Sequence, residues 1–143
     1  MALKKFTILV YIVASNFILY GQQNNDSTKC ILSSDVFENR EVYKYVDSMP
    51  QYPGGHDSLL SFIFMNIQLP KETIGEIFGK VITQFIVDTN GIIVDQKILR
   101  GFSEGANKAV LNVLGKMPIW SPGKCEGEIV PVVFILPINI SLQ

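Results

Sequence analysis

Charge is scarce in this chain, and what there is nearly cancels. Asp, Glu, Lys and Arg make up 17% of its 143 residues, the formal net charge is -1, and Lys and Arg do not cluster beyond Lys4-Lys5. Without a basic stripe there is no electrostatic footprint for a phosphate backbone, so nucleic acid is excluded as a partner. Histidine occurs once, as His56, and Cys30 and Cys125 lie far apart with no Cys-x-x-Cys spacing, a poor donor set for any metal. Nor is there a catalytic constellation. His56 has no Ser, Cys or Asp arrangement to support a general base and is expected as an exposed first-turn residue. Asp57, Asp88, Asp95 and Glu104 are scattered through caps and turns. Gly54-Gly55 lacks the Lys and Ser/Thr that complete a phosphate loop. The expectation is a protein that is not an enzyme and uses neither cofactor nor metal.

What is present divides in two. Residues 6–20 form a mostly apolar run behind Lys4-Lys5, broken only by Thr7, Ser15 and Asn16, and polarity rises sharply at Gln22-Gln23-Asn24-Asn25-Asp26. Basic, then apolar, then polar is the order of a secretory signal, so residues 1–21 are expected to export the chain. At 1.5 Å rise per residue the run reaches only about 23 Å against a hydrocarbon core of about 30 Å. That length favours removal near Gly21 over retention as an N-terminal anchor, and both readings stand. Export places Cys30 and Cys125 where disulfides persist; one intramolecular bond and two free thiols are equally open.

The remainder, with 48% of the whole chain apolar, has room for a single globular domain. Residues 22–45 read as a polar lead-in, in which Val42-Tyr43-Lys44-Tyr45-Val46 alternates enough for one short strand. The domain proper is expected over residues 46–143. Leu59, Leu60, Phe62, Ile63 and Ile67 mark a first helix ended by Pro70. Residues 80–88 and 92–100 are β-branched runs joined at Asn90-Gly91, a hairpin. Ser103 caps a second helix whose Ala106, Ala109, Val110, Val113, Leu114 and Met117 recur at helical spacing, up to Pro118. A last strand is expected over residues 128–140. Its Pro131 and Pro137 cannot donate ladder hydrogen bonds, which puts it at the sheet border with the first hairpin strand central.

Two stretches echo one another, Met49-Pro50-Gln51-Tyr52-Pro53-Gly54-Gly55 and Met117-Pro118-Ile119-Trp120-Ser121-Pro122-Gly123-Lys124. Each sets an aromatic residue between prolines and closes on glycine, a rigid corner holding a bulky anchor. Trp120 and Tyr52 are expected as core anchors, the Trp120 N–H bonded to backbone. With the Gly79 strand entry, the Asp88-x-x-Gly91 hairpin and Leu136-Pro137-Ile138-Asn139, these corners resemble the C-terminal domain of the TonB family, over residues 46–140.

The resemblance implies an α+β fold, a three-stranded antiparallel sheet with two helices on one face. It also implies a periplasmic role in energy-dependent transmembrane transport. Such a domain grips an extended N-terminal segment of a TonB-dependent outer-membrane receptor by strand addition and passes on force from inner-membrane proton-driven motor proteins. The chain departs from the family's energy transducers in three ways. About 25 residues, at most about 85 Å of extended chain, separate the apolar run from the domain where transducers carry a long proline-rich spacer. The run has no histidine, and Leu69-Pro70 stands where Tyr-Pro is usual. These departures point to a free-standing periplasmic copy that binds without pulling.

Pro131 and Pro137 are an even number of residues apart, so both missing donors lie on one side of the strand, the unpaired one. Between them Val133 and Ile135 turn N–H groups outward. The expected docking place for a partner strand is therefore Pro131, Val133, Ile135 and Pro137. The alternative from a different class is an envelope assembly protein that pairs with itself there as a homodimer.

Overall fold

Asp88 turns the chain back on itself at the centre of the domain. In this computed structural model, which describes residues 30–71 and 78–141, the Asp88 carboxylate accepts hydrogen bonds from the N–H groups of Asn90 (2.8 Å) and Ile92 (2.9 Å). Of the Asn90-Gly91 pair, Gly91 alone takes a positive φ, 79°. The connection is thus a type I turn followed by a left-handed residue rather than a two-residue primed turn. It joins β3 (Phe78–Val87) to β4 (Ile93–Arg100) in antiparallel register. Along its other side β3 pairs antiparallel with β7 (Val132–Ser141) from Phe78↔Ser141 to Val87↔Val132. The first hairpin strand is central, as expected.

The last strand differs from expectation twice. Residues 128–130 do not belong to it: Glu128–Val130 forms β6, pairing with β5 (Gly123–Cys125) in a separate two-stranded sheet, and Pro131 breaks the run because it cannot donate to a ladder. More consequentially, β7 is not the border of the sheet. β2 (Arg40–Tyr45) lies outside it, parallel, with Tyr43 paired to Val132 and the Tyr43 N–H donating to the Pro131 carbonyl at 2.9 Å. β1 (Ile31–Phe37) pairs antiparallel with β2, so the order is β1-β2-β7-β3-β4. The sheet has five strands instead of three: the short strand expected near Val42 is β2, and β1, in what reads as irregular lead-in, pairs with it as a hairpin. Its turn is Glu38-Asn39, both at positive φ (50° and 58°) between the paired Phe37 and Arg40, a primed turn that matches strand twist.

Two helices among the described residues pack on one face of this α+β fold. α1 spans His56–Asn66, and α2 spans Glu104–Leu114. The Ser103 hydroxyl oxygen accepts the Ala106 N–H at 3.1 Å, capping α2, whose Ala106, Ala109, Val110, Val113 and Leu114 are buried. They meet Leu59 and Ile63 of α1, Val81, Phe85 and Val87 of β3, and Leu136, Ile138 and Ile140 of β7. On the opposite face a smaller cluster gathers Val42, Ile86 and Val133, with Phe37 and Val94 against it. The β1–β2 hairpin curls over that face far enough for Asp35 of β1 to reach Lys97 of β4 and Gln84 of β3, each at 3.4 Å.

Candidate strand-docking site

The two proline corners fold against each other. Gln51 and Ser121 exchange both backbone hydrogen bonds, at 3.0 and 2.9 Å, and Ser48 does the same with Lys124, at 3.1 and 2.8 Å. Tyr52 and Trp120, each held between prolines, meet edge to face with centroids 5.6 Å apart, and Trp120 also meets Phe85 and Phe134. Pro50 is buried, Met49 and Met117 half-buried, and Pro53 and Pro118 exposed on the outside of the bends. Gly123 is buried where a Cβ would lie 2.5 Å from Val132 and 3.2 Å from Pro50. Pro122 precedes it into β5. Gly54 and Gly55, with φ of 84° and 86°, make the bend into α1.

Trp120 is the buried anchor that its surroundings require, but its Nε1–H finds no acceptor among the described residues. The expected bond to backbone is absent because aromatic rings enclose the indole. Burial raises the Tyr52 hydroxyl above its ordinary pKa. The structure joins Cys30 and Cys125 in a disulfide, with Cα atoms 6.0 Å apart. The adjoining Asp47 carboxylate accepts the Glu126 N–H at 3.1 Å. With both sulfurs in the bond, no thiolate remains there to ligate a metal.

The hydrogen bond from Tyr43 to Pro131 identifies the side of β7 that faces away from β3. Residues two apart on a strand repeat their direction. Residues 133, 135, 137, 139 and 141 therefore turn backbone groups to that outer side, and Pro137 leaves it one donor short. Pro131 and Val133 lie under β2, so the expected docking place is already occupied at that end by the chain's own strand. Farther on, β2 pairs no position of β7 beyond Val132, and the outer side of residues 135–141 meets no other strand among the described residues.

A groove of about 810 Å³ runs beside that stretch, between residues 136–141 of β7 and α1. Its α1 wall is Leu60, Ile63 and Phe64, with Ile67 and Leu69 beyond the helix end and exposed His56 at its start. Phe64 is 83% exposed and its neighbour Met65 81%, unusual for large apolar side chains on a helix that otherwise faces the core. Sequence reasoning placed α1 but not this wall. The available signal was that α1 is apolar nearly all round, with Asp57 its one acidic residue, whereas a helix covering a core on one side only should be polar on the other.

No helix among the described residues is long and apolar enough to cross a membrane. The expected export segment, residues 1–21, lies outside them. No family model matches this chain, and no curated protein does. Among solved structures it is similar to two solution structures of the Helicobacter pylori TonB C-terminal domain. One is 22% identical with a TM-score of 0.43, covering 59% of this chain and 90% of that one. The other is 23% identical with a TM-score of 0.42, covering 64% and 87%.

Proposed function

We propose that this chain is an exported TonB-like binding module that takes up an extended segment of a TonB-dependent outer-membrane receptor by strand addition along residues 135–141. One observation carries the reading: β7 continues well past its single pairing with β2, and the outer side it then presents borders an apolar groove. An incoming strand there would accept from the N–H groups of Ile135 and Asn139 and donate to the carbonyls of Ile135, Pro137 and Asn139. Four or five such bonds, at about 1 kcal/mol net each, amount to little more than millimolar binding. Affinity must come largely from side chains. Alternate residues of the added strand point at Leu60, Phe64 and Ile67, each worth about 1.5–3 kcal/mol when fully buried. The motifs resembling the TonB family lie in the two corners and, as Leu136-Pro137-Ile138-Asn139, in the β7 wall of the groove, whereas the facing wall at Leu60 and Phe64 carries none of them, so selectivity for a receptor is assigned to that facing wall.

The test is titration of the protein with a synthetic N-terminal receptor peptide, followed by backbone NMR. Shifts confined to residues 135–141, Leu60 and Phe64 are expected. Asn139→Pro removes an outward donor without breaking a bond to β3, so it should weaken binding at least about tenfold while retaining cooperative unfolding. Undiminished binding by this variant overturns the assignment, as does a concentration-dependent dimer formed through the same residues.

A further inference from the structure

Both ends of the β1–β2 hairpin are fastened to one short strand. At its far end Ser48 bridges Lys124, and at its start Cys30 is bonded to Cys125, the next residue of β5. Between these two points the hairpin is attached to the sheet lightly. β2 pairs with β7 only through Tyr43 and Val132, whereas β3 pairs with β7 from end to end. Beyond that there are the small Val42 cluster and Asp35, which pairs with Lys97, 43% exposed, and accepts from the Gln84 amide at 3.4 Å.

We infer that the Cys30–Cys125 disulfide is a redox latch that keeps β2 over the outer side of β7 at Pro131 and Val133. With Ser48 already held by Lys124, the disulfide closes a loop of roughly 18 residues. Opening that loop frees enough chain entropy to raise detachment of the hairpin about 100-fold. Cys30 and Cys125 are each only half-buried, which leaves the bond between them within reach of a dithiol. It gives up two electrons and two protons and closes to its own disulfide, while Cys30 and Cys125 become thiols. An oxidising compartment keeps the latch shut. Where the hairpin then detaches, the outer side of β7 is unpaired from Pro131 onward rather than from Ile135, which lengthens the edge available to a second strand by about half. This last consequence rests on the docking reading above; the latch itself does not.

Amide hydrogen exchange in oxidised and dithiothreitol-reduced protein decides the matter. The Tyr43 N–H, donor to Pro131, should exchange about 100-fold faster after reduction through a local opening nearly independent of urea, whereas Val81 and Phe85 in the centre of β3 exchange by global unfolding, with its full urea dependence, in both forms. The double variant Cys30→Ser, Cys125→Ser should reproduce the reduced pattern without reductant. A Tyr43 rate that does not move overturns the latch, and so does a Tyr43 rate whose urea dependence equals that of Val81 and Phe85, since that means Tyr43 exchanges only when the whole domain unfolds. Receptor peptide that binds neither form counts against the docking reading alone. Peptide whose footprint spreads to Pro131 only in reduced protein supports both.

Discussion

Gly91 and Trp120 interlock backbone to backbone. The Trp120 N–H donates to the Gly91 carbonyl at 2.8 Å, and a Cβ placed on Gly91 would lie 2.0 Å from the Trp120 carbonyl oxygen. The β3–β4 turn thus seats directly on the second proline corner, which in turn carries the first corner through Gln51 and Ser121. Gly91→Ala meets both a left-handed backbone, costing about 1–2 kcal/mol, and a contact with main chain that has no rotamer to escape into. A loss of at least about 2 kcal/mol in urea unfolding is expected. A loss under about 0.5 kcal/mol would mean that the corner yields and that the interlock does not hold the turn.

Trp120 separates packing from hydrogen bonding unusually cleanly. Its ring fills the space among Tyr52, Phe85 and Phe134, but its Nε1–H has no acceptor among the described residues. Trp120→Ala leaves a large cavity and should cost about 3–5 kcal/mol. Trp120→Phe loses volume but also removes a buried donor without a partner, so it should cost no more than about 1.5 kcal/mol. Urea midpoints at unchanged slope give both numbers. A Phe variant as damaged as the Ala variant would reveal a hydrogen bond at Nε1.

The elements that could be read in advance are those whose signals are local. Asn90-Gly91 between β-branched runs, Ser103 ahead of a helical apolar stripe, and the strand after Pro131 all declare themselves within about ten residues. The β1–β2 hairpin does not. Its turn residues are Glu38-Asn39, and glutamate is an unusual occupant of positive φ. Ser33-Ser34-Asp35 looks like solvated chain, although Asp35 is turned toward Lys97 and Gln84. Pro131 and Pro137 share the side of β7 that faces away from β3, but the expectation that this side is unpaired fails at Pro131 and Val133, where β2 covers it. That β2 would cover the first part of it in parallel is a long-range pairing for which no neighbouring residue gives a sign. The groove was invisible for a related reason, because its walls come from α1 and β7, some seventy residues apart in sequence.

Asp35 ties hairpin stability to pH. The Ser33 hydroxyl donates to it at 2.8 Å, and the Lys97 ammonium and Gln84 amide lie at 3.4 Å. Together, the Ser33 bond foremost, they hold its carboxyl below the usual aspartate value against the opposing pull of partial burial. Because the folded value is the lower one, the stabilisation is fully present above the unfolded pKa of about 3.9 and disappears as pH falls through the folded value. Asp35 and Lys97 side chains are 30% and 43% exposed, so solvent screening limits the contribution to about 0.2–1 kcal/mol. Asp35→Asn is close to a permanently protonated Asp35. Urea midpoints of the two proteins should therefore differ at about pH 6 and converge by about pH 2. A gap that stays constant across that range would show that the carboxylate charge contributes nothing and that Asp35 holds β1 through packing alone.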